Sequence, residues 1–241
     1  MTRQMSPQEQ ARLDSIKRSW QQKREINDKL ARIKNKIGVY SGKGGVGKTT
    51  VAVNLAYSIA ALGGRVGIFD ADIYGPSLPV LTGVREEPEV HDGDRIQPLH
   101  AHGMALMSMG FLAGPDAPVI WRGPLLAQAV QQFLQQVDWG QLDILLLDLP
   151  PGTGDVQLTL TQMAPLTGAV IVTTSSTLAL EDVGRGVQMF RQTDVPILGL
   201  IENMSTFTCD SCGSESHPFG HGGGASAASA LDIPFLGEIP L

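Results

Sequence analysis

The chain has 241 residues, of which 42% are hydrophobic, 17% charged and 5% aromatic, with 28 Gly and 15 Pro. That apolar share supports a packed core and excludes a disordered or fibrous chain, and the length suits one α/β domain of ordinary size. A net charge of −6 argues against a general nucleic-acid binder, and two cysteines exclude a secreted disulfide framework. The longest apolar runs, around Leu145–Leu147 and Ala169–Val172, fall far short of the ~18 residues of a membrane span. Met1 is not followed by a signal-peptide pattern, so a cytoplasmic protein with no membrane span and no stable nucleic-acid partner is expected.

Charge is unevenly spread. Residues 1–36 hold ten of the 18 Lys and Arg and four of the 24 Asp and Glu, a net of +6; the rest holds eight basic and twenty acidic residues, a net of −12. Within the basic segment Leu13, Ile16, Trp20, Ile26, Leu30 and Ile33 recur at roughly helical spacing, and no Gly or Pro interrupts from Gln8 to Ile37. Residues 1–36 therefore read as an amphipathic helical extension packed on the domain or on a partner subunit. Contact with a membrane surface or DNA is the alternative.

From Ile37 short apolar strands alternate with helices, the pattern of parallel βαβ units. The expected strands are Ile37–Tyr40, Val66–Asp70, Ala105–Ser108, Asp143–Asp148, Ala169–Thr173, Ile197–Glu202 and Phe235–Leu236. The expected helices are Lys48–Leu62, Pro124–Val137, Asp155–Met163 and Leu178–Arg191. Ile144-Leu145-Leu146-Leu147 is uniformly apolar, as a strand covered on both faces should be. The predicted fold is α/β, a doubly wound and mostly parallel sheet with helices on both faces, spanning 37–241. Sites in such sheets form beyond the carboxyl ends of the strands, so the segments after Tyr40, Asp70, Asp148 and Glu202 are the places to search. His91, His100 and His102 read as surface residues, and Met104, Met107 and Met109 as strand and core packing.

After the first strand, Gly42-Lys43-Gly44-Gly45-Val46-Gly47-Lys48-Thr49 matches G-x-x-x-x-G-K-[ST] in the strand-to-helix context that this phosphate loop requires. Its backbone N–H groups and the following helix N-terminus suit phosphate, Lys48 suits the β- and γ-phosphates of ATP, and Thr49 suits Mg²⁺. Beyond residue 36 the chain has only two lysines, Lys43 and Lys48, both in this loop. Asp70 and Asp72 end the second strand and Asp148 ends the most apolar run; Asp148 suits the Mg²⁺-holding carboxylate, and Gly152 can offer an N–H to a γ-phosphate.

The early lysine makes the loop resemble that of the deviant Walker A ATPases, the group of MinD, ParA, the arsenite-pump ATPase and the nitrogenase iron protein. The resemblance implies a homodimer in which Lys43 acts on the nucleotide of the other subunit, a catalytic set of Lys43, Lys48 and Asp72, with Asp72 positioning water, and slow ATP hydrolysis. It further implies that Asp70 helps Thr49 and Asp148 hold the metal, that Thr50 joins the nucleotide site, and that Asn203 meets the adenine edge.

Cys209-Asp210-Ser211-Cys212 is the whole cysteine content, in a Gly- and Ser-rich stretch within 203–224 that suits metal ligation better than a redox helix start. Two thiolates are half of a Cys₄ set, so a symmetric dimer would complete one [4Fe-4S] cluster. The run C-x₂-C-x₄-H-x₃-H, with His217 and His221, leaves a single-chain Zn²⁺ site open, although four residues between the pairs are far fewer than the usual ~12 to 15. Zn²⁺ can also occupy the same two thiolates in purified protein. Together S-G-K-G-G-V-G-K-T-T, D-A-D-I-Y-G-P-S, W-R-G-P, D-L-P-P-G-T-G-D and E-N-M-S-x-F-x-C-x-x-C resemble the Mrp/ApbC family of iron–sulfur cluster carrier ATPases. That likeness implies apo iron–sulfur proteins as recipients and the cluster assembly machinery as partner. A MinD- or ParA-like spatial ATPase with incidental zinc is the alternative.

Overall fold

A computed structural model describes residues 6–72, 75–91, 93–111 and 123–241. Ile73, Tyr74, Trp121 and Arg122, which belong to two of the motifs above, lie outside the described residues. In chain order the elements are α1 (Pro7–Leu30), β1 (Asn35–Tyr40), α2 (Lys48–Ala61), β2 (Val66–Asp70), α3 (Leu78–Thr82), β3 (Val90–His91), β4 (Arg95–Ile96), β5 (Leu99–Ala101) and β6 (Met104–Ser108). After a 3₁₀ turn at Met109–Phe111 follow α4 (Gly123–Gln136), β7 (Ile144–Asp148), α5 (Asp155–Met163), β8 (Gly168–Thr173), α6 (Thr177–Gln192), β9 (Ile197–Asn203), β10 (Phe207–Thr208), β11 (Glu215–Ser216), α7 (Gly223–Ala230) and β12 (Phe235–Ile239).

One eight-stranded sheet, ordered β12-β9-β8-β1-β7-β2-β6-β5, organises the chain, and only the β5–β6 pair is antiparallel. The predicted doubly wound fold is thus present. Because strand side chains alternate faces, the strands feed two cores. Leu145 and Leu147 face one with Tyr40, Phe69, Met107, Val183 and Phe190; Leu146 faces the other with Val39, Ile68, Leu106 and the α2 residues Val51, Ala52 and Ala56. Met104, Met107 and Met109 are buried as expected, and His91, His100 and His102 are exposed. Among the described residues no helix is long and apolar enough to cross a membrane.

The N-terminal extension is helical over Pro7–Leu30. Its helix begins with a capping box, Ser6 N–H donating to Glu9 Oε2 (2.8 Å) and Glu9 N–H to Ser6 Oγ (3.2 Å), but it ends at Leu30, well before Ile37. Ile26, Leu30 and Ile33 enter the main core, whereas Leu13, Ile16 and Trp20 are 39%, 46% and 76% exposed. Helical spacing places apolar residues on one face without ensuring that anything covers it. The half-buried pattern ends where buried Lys36 donates from Nζ to the carbonyls of Ile33 (2.9 Å) and Leu30 (3.4 Å). Burial lowers the pKa of that ammonium. The expected division at 36/37 therefore falls inside β1, and the last turns of α1 share the core of the sheet.

Candidate functional site: a phosphate cradle and a cysteine hairpin

Parallel register brings the strand-end polar groups together. Asp70 pairs with Ser108 on one side and Asp148 on the other, and Asp148 pairs with Val39 at the end of β1. Residues in register on neighbouring strands lie about 5 Å apart and point to the same face. The loop from β1 to α2 crosses this row, and Lys48 Nζ meets Asp148 Oδ1 at 2.5 Å while Thr49 Oγ1 donates to Asp148 Oδ2 at 2.6 Å. Asp70 accepts from the Asp72 N–H (3.0 Å), the Leu78 N–H (3.2 Å) and Ser108 Oγ (3.0 Å). Ser108, which sequence reasoning did not single out, is a fully buried partner of that carboxylate.

The cluster carries more negative charge than it can neutralise. Asp70, Asp148 and Lys48 are buried, and Asp72 adds a third carboxylate whose buried Oδ1 has no hydrogen-bond partner. Burial, with Asp148 close by, pushes the Asp70 carboxyl up to about 7. Burial also raises that of Asp148, although Lys48 and Thr49 oppose the rise. Carboxylate and hydroxyl oxygens around an uncompensated negative charge suit a hard divalent cation, so the residues fit the Mg²⁺ expected at Thr49, Asp70 and Asp148.

This charge has a stability signature. Asp70 has a folded-state pKa raised above its unfolded value near 3.9, so the folded chain binds more protons across the interval between them, and stability falls as pH rises from about 4 to about 7. Metal-free, nucleotide-free protein should lose thermal stability over that range, and Asp70→Asn should flatten the slope; an unchanged slope in the variant would exclude Asp70 as its source.

Beside the carboxylates a cavity of about 480 Å³ is lined by Gly44, Gly45, Gly47, Lys48, Thr49, Thr50 and Asp72, with Pro76, Val80 and Leu81 on its apolar side. A Cβ on Gly44 or Gly45 would meet nothing within 4 Å, which leaves room for a ligand against the backbone, and Gly45 and Gly47 have φ of +81° and +80°. The α2 N-terminus opens directly from this cradle.

Other expected members of the nucleotide site sit elsewhere. A Cβ on Gly42 would collide with Asp182 of α6, its backbone carbonyl carbon 2.9 Å away, so this glycine serves close packing. Val46 is buried in the α2-side core, and its carbonyl accepts from Asn203 Nδ2 at 2.9 Å. Asn203 thus braces the loop from behind and does not line the cavity. The Gly152 N–H expected to meet a γ-phosphate donates to the Ser41 carbonyl at 3.0 Å. Lys43 is also outside its own chain's cavity, with Nζ 3.4 Å from Ser176 Oγ at the start of α6.

The cysteines lie on an exposed turn between antiparallel β10 and β11. The Cys209 N–H donates to Ser214 O (2.9 Å), and the Gly213 N–H donates back to Cys209 O (2.8 Å), closing the turn around both thiols. Ser214, from side chain and backbone, and then Cys209 stabilise the Cys212 thiolate and lower its pKa. Both cysteines are free, and among the described residues no three His, Cys, Asp or Glu gather as a ligand set. His217 instead meets the Ser205 carbonyl through Nδ1 (2.9 Å), with its ring 4.3 Å from that of His221. The Gly- and Ser-rich stretch turns helical at Gly223: buried Glu202 accepts from the Gly224 N–H (2.6 Å) and from Ser175 Oγ.

Comparison with known proteins agrees with this architecture. Residues 32–241 match the family described as ParA: NUBPL iron-transfer P-loop NTPase. An iron-sulfur cluster carrier protein of Pseudomonas fragi is 49% identical over 214 residues, covering 88% of this chain and 75% of that one. The mouse iron-sulfur cluster transfer protein NUBPL is 49% identical over 211 residues, covering 87% and 66%; in Escherichia coli the covered share of the carrier protein is 57%. Among solved structures, a nucleotide-binding protein of Archaeoglobus fulgidus in complex with ADP has a TM-score of 0.80 at 41% identity, covering 91% of this chain and 86% of that one. The cell-division ATPase MinD of Pyrococcus furiosus, covering 86% and 84%, has a TM-score of 0.59 at 22% identity, a likeness of fold. The chain belongs to the ParA/NUBPL family of iron-transfer P-loop NTPases.

Proposed function

We propose that this protein is an ATP-hydrolysing carrier of iron–sulfur clusters: two copies hold one [4Fe-4S] cluster on paired Cys209 and Cys212 and pass it to apo-proteins. The observation that carries the reading is the exposed, thiolate-favouring cysteine turn built out from β9, the strand whose end also braces the phosphate loop. Relatives at 49% identity named as cluster carrier and transfer proteins support it. Exposed Cys212 beside half-buried Cys209 gives both a second copy and a recipient access to the cargo, and two pairs supply the four thiolates that a [4Fe-4S] cluster needs. The cluster is cargo, received from the assembly machinery and released to an acceptor.

At the cradle, the backbone of Gly44, Gly45 and Gly47 takes the phosphates and Lys48 turns from Asp148 to the β- and γ-phosphates. Thr49, Asp148 and Asp70 supply oxygens for Mg²⁺, which when bound offsets phosphate charge. The unpartnered Oδ1 of Asp72 accepts a hydrogen bond from the attacking water and orients it. Lys43, turned toward Ser176 in its own chain, supplies its charge to the phosphoryl group bound by the other copy. Asn203 sits behind the phosphate cradle, holding the Val46 carbonyl with one amide N–H, and its second N–H and its amide oxygen are the groups that suit the adenine edge. A spatial or partitioning role rests on likeness of fold alone, at 22% identity for MinD.

The reading is tested by transfer. Reconstituted protein incubated anaerobically with an apo acceptor whose activity needs a [4Fe-4S] cluster should activate that acceptor in proportion to iron lost. An acceptor activated no faster than by free iron and sulfide would refute a carrier role.

A further inference from the structure

The phosphate loop and the cysteine hairpin hang from one short piece of chain. At its upstream end Asn203 Nδ2 donates to the Val46 carbonyl inside the loop (2.9 Å), and a Cβ placed on Gly47 would strike that same nitrogen. Any adjustment of the loop about Val46–Gly47 therefore meets Asn203. Two residues later the Ser205 carbonyl faces His217 Nδ1 at 2.9 Å. A carbonyl only accepts, so the ring carries its proton on Nδ1 and donates. His217 immediately follows β11, the strand that returns from the turn holding Cys209 and Cys212.

The piece between these contacts is well fixed. Met204 has φ of +57°, a left-handed conformation uncommon outside glycine, and its methyl end stands beside Gly47. Ser205 is buried, and both its N–H and its Oγ donate to Ile239 O (3.0 and 3.3 Å). Glu202 ties the same strand end to α7 through the Gly224 N–H, so the chain leaving the hairpin is anchored where the chain entering it begins. A rigid segment touching both sites can carry a displacement from one to the other, because packed elements shift as units.

We infer that Glu202–Ser205 couples nucleotide occupancy to the cysteine turn, with His217 as the positioning residue at the hairpin end. Nucleotide settling in the loop shifts the Val46–Asn203 contact, the Ser205 carbonyl follows, and the His217 hydrogen bond resets the turn that presents the thiols. The inference rests on the proposed nucleotide role of the cradle, and it holds whichever metal or cluster the thiols carry.

The test uses full-length, metal-free protein under anaerobic conditions, at a dilution where the chain is monomeric. Iodoacetamide alkylation of Cys212 is timed with and without Mg-ADP, and binding of a fluorescent ADP is measured in the same samples. Wild type should change its alkylation rate on the order of two- to tenfold with ADP, the range that one hydrogen bond of ordinary net strength can bias. His217→Ala should bind ADP as wild type does but alkylate at one rate with or without it. His217→Asn, whose amide nitrogen can stand where Nδ1 does, should recover the response. An ADP-bound wild type with an unchanged rate, a full response in His217→Ala, or no recovery in His217→Asn would each overturn the coupling. Absence of ADP binding to wild type would refute the nucleotide reading itself, and the coupling with it.

Discussion

Lys43→Ala is expected to keep its affinity for ATP and lose hydrolysis by about 10³-fold or more, the range a cation delivered to a transferring phosphoryl group is worth. The expectation follows from where the side chain is. Lys43 Nζ lies 3.4 Å from Ser176 Oγ, away from the residues that line its own chain's cavity. In the proposed dimer it meets the nucleotide held by the second copy. Single-turnover hydrolysis beside equilibrium ATP binding separates the two effects. Mixing Lys43→Ala with a copy that cannot bind nucleotide but keeps Lys43 should restore part of the activity, because the nucleotide of one copy then meets the lysine of the other. A mixture as inactive as its components would show that Lys43 acts within its own chain.

Lys48→Met, left largely empty at limiting ATP, provides that second copy and has the larger physical consequence. Lys48 is the buried cation paired with Asp148, and the two groups are 6% and 0% exposed. Removing one partner of a buried pair costs about 3 to 5 kcal/mol, because the remaining charge has lost its compensation. Asp70 already shares that space with a carboxyl pushed up to about 7 by burial and by Asp148. Without the ammonium the Asp148 carboxyl should rise further. A raised folded-state pKa means that protonation relieves the variant: its deficit should shrink toward pH 4 and grow as pH climbs through the raised pKa values. Unfolding of wild type and Lys48→Met across that range, with chelator present, measures this. ATP affinity should fall on the order of tenfold to a hundredfold, as loss of a charge-assisted hydrogen bond to phosphate implies. A deficit independent of pH would mean that the pair does not dominate the site's electrostatics.

Much of this site was legible in the sequence because its signals are local. The glycine spacing of the loop, the carboxylates closing two apolar strands and the cysteine spacing each lie within a few residues, and the strand and helix order followed from periodicity. What could not be read is what register and packing decide. Asp70, Asp148 and Ser108 become neighbours only when β6, β2 and β7 align. The distance in sequence between Asn203 and Val46 concealed the hydrogen bond by which Asn203 braces the loop. Helix α7 is made of Gly, Ala and Ser, with no large apolar side chain to mark a helical period, and it forms where Glu202 accepts from the Gly224 N–H and Gly224 and Ala228 are buried. The short β3–β4 and β10–β11 pairs carry two residues per strand, too few for a period to show. The spacing of Leu13, Ile16 and Trp20 marked a helical face correctly, yet only the structure shows that the face is exposed.

Cluster binding by paired Cys209 and Cys212 is decided by anaerobic reconstitution with iron and sulfide, reading bound iron, acid-labile sulfide and the mass of the assembly together, beside a Cys209→Ser/Cys212→Ser variant. About four iron and four sulfide per two chains are expected, with a dimer that persists with the cluster and loss of both in the variant, in keeping with one cluster held by four thiolates. One zinc per monomer with no stable iron, or a full complement of iron in the double variant, would contradict it.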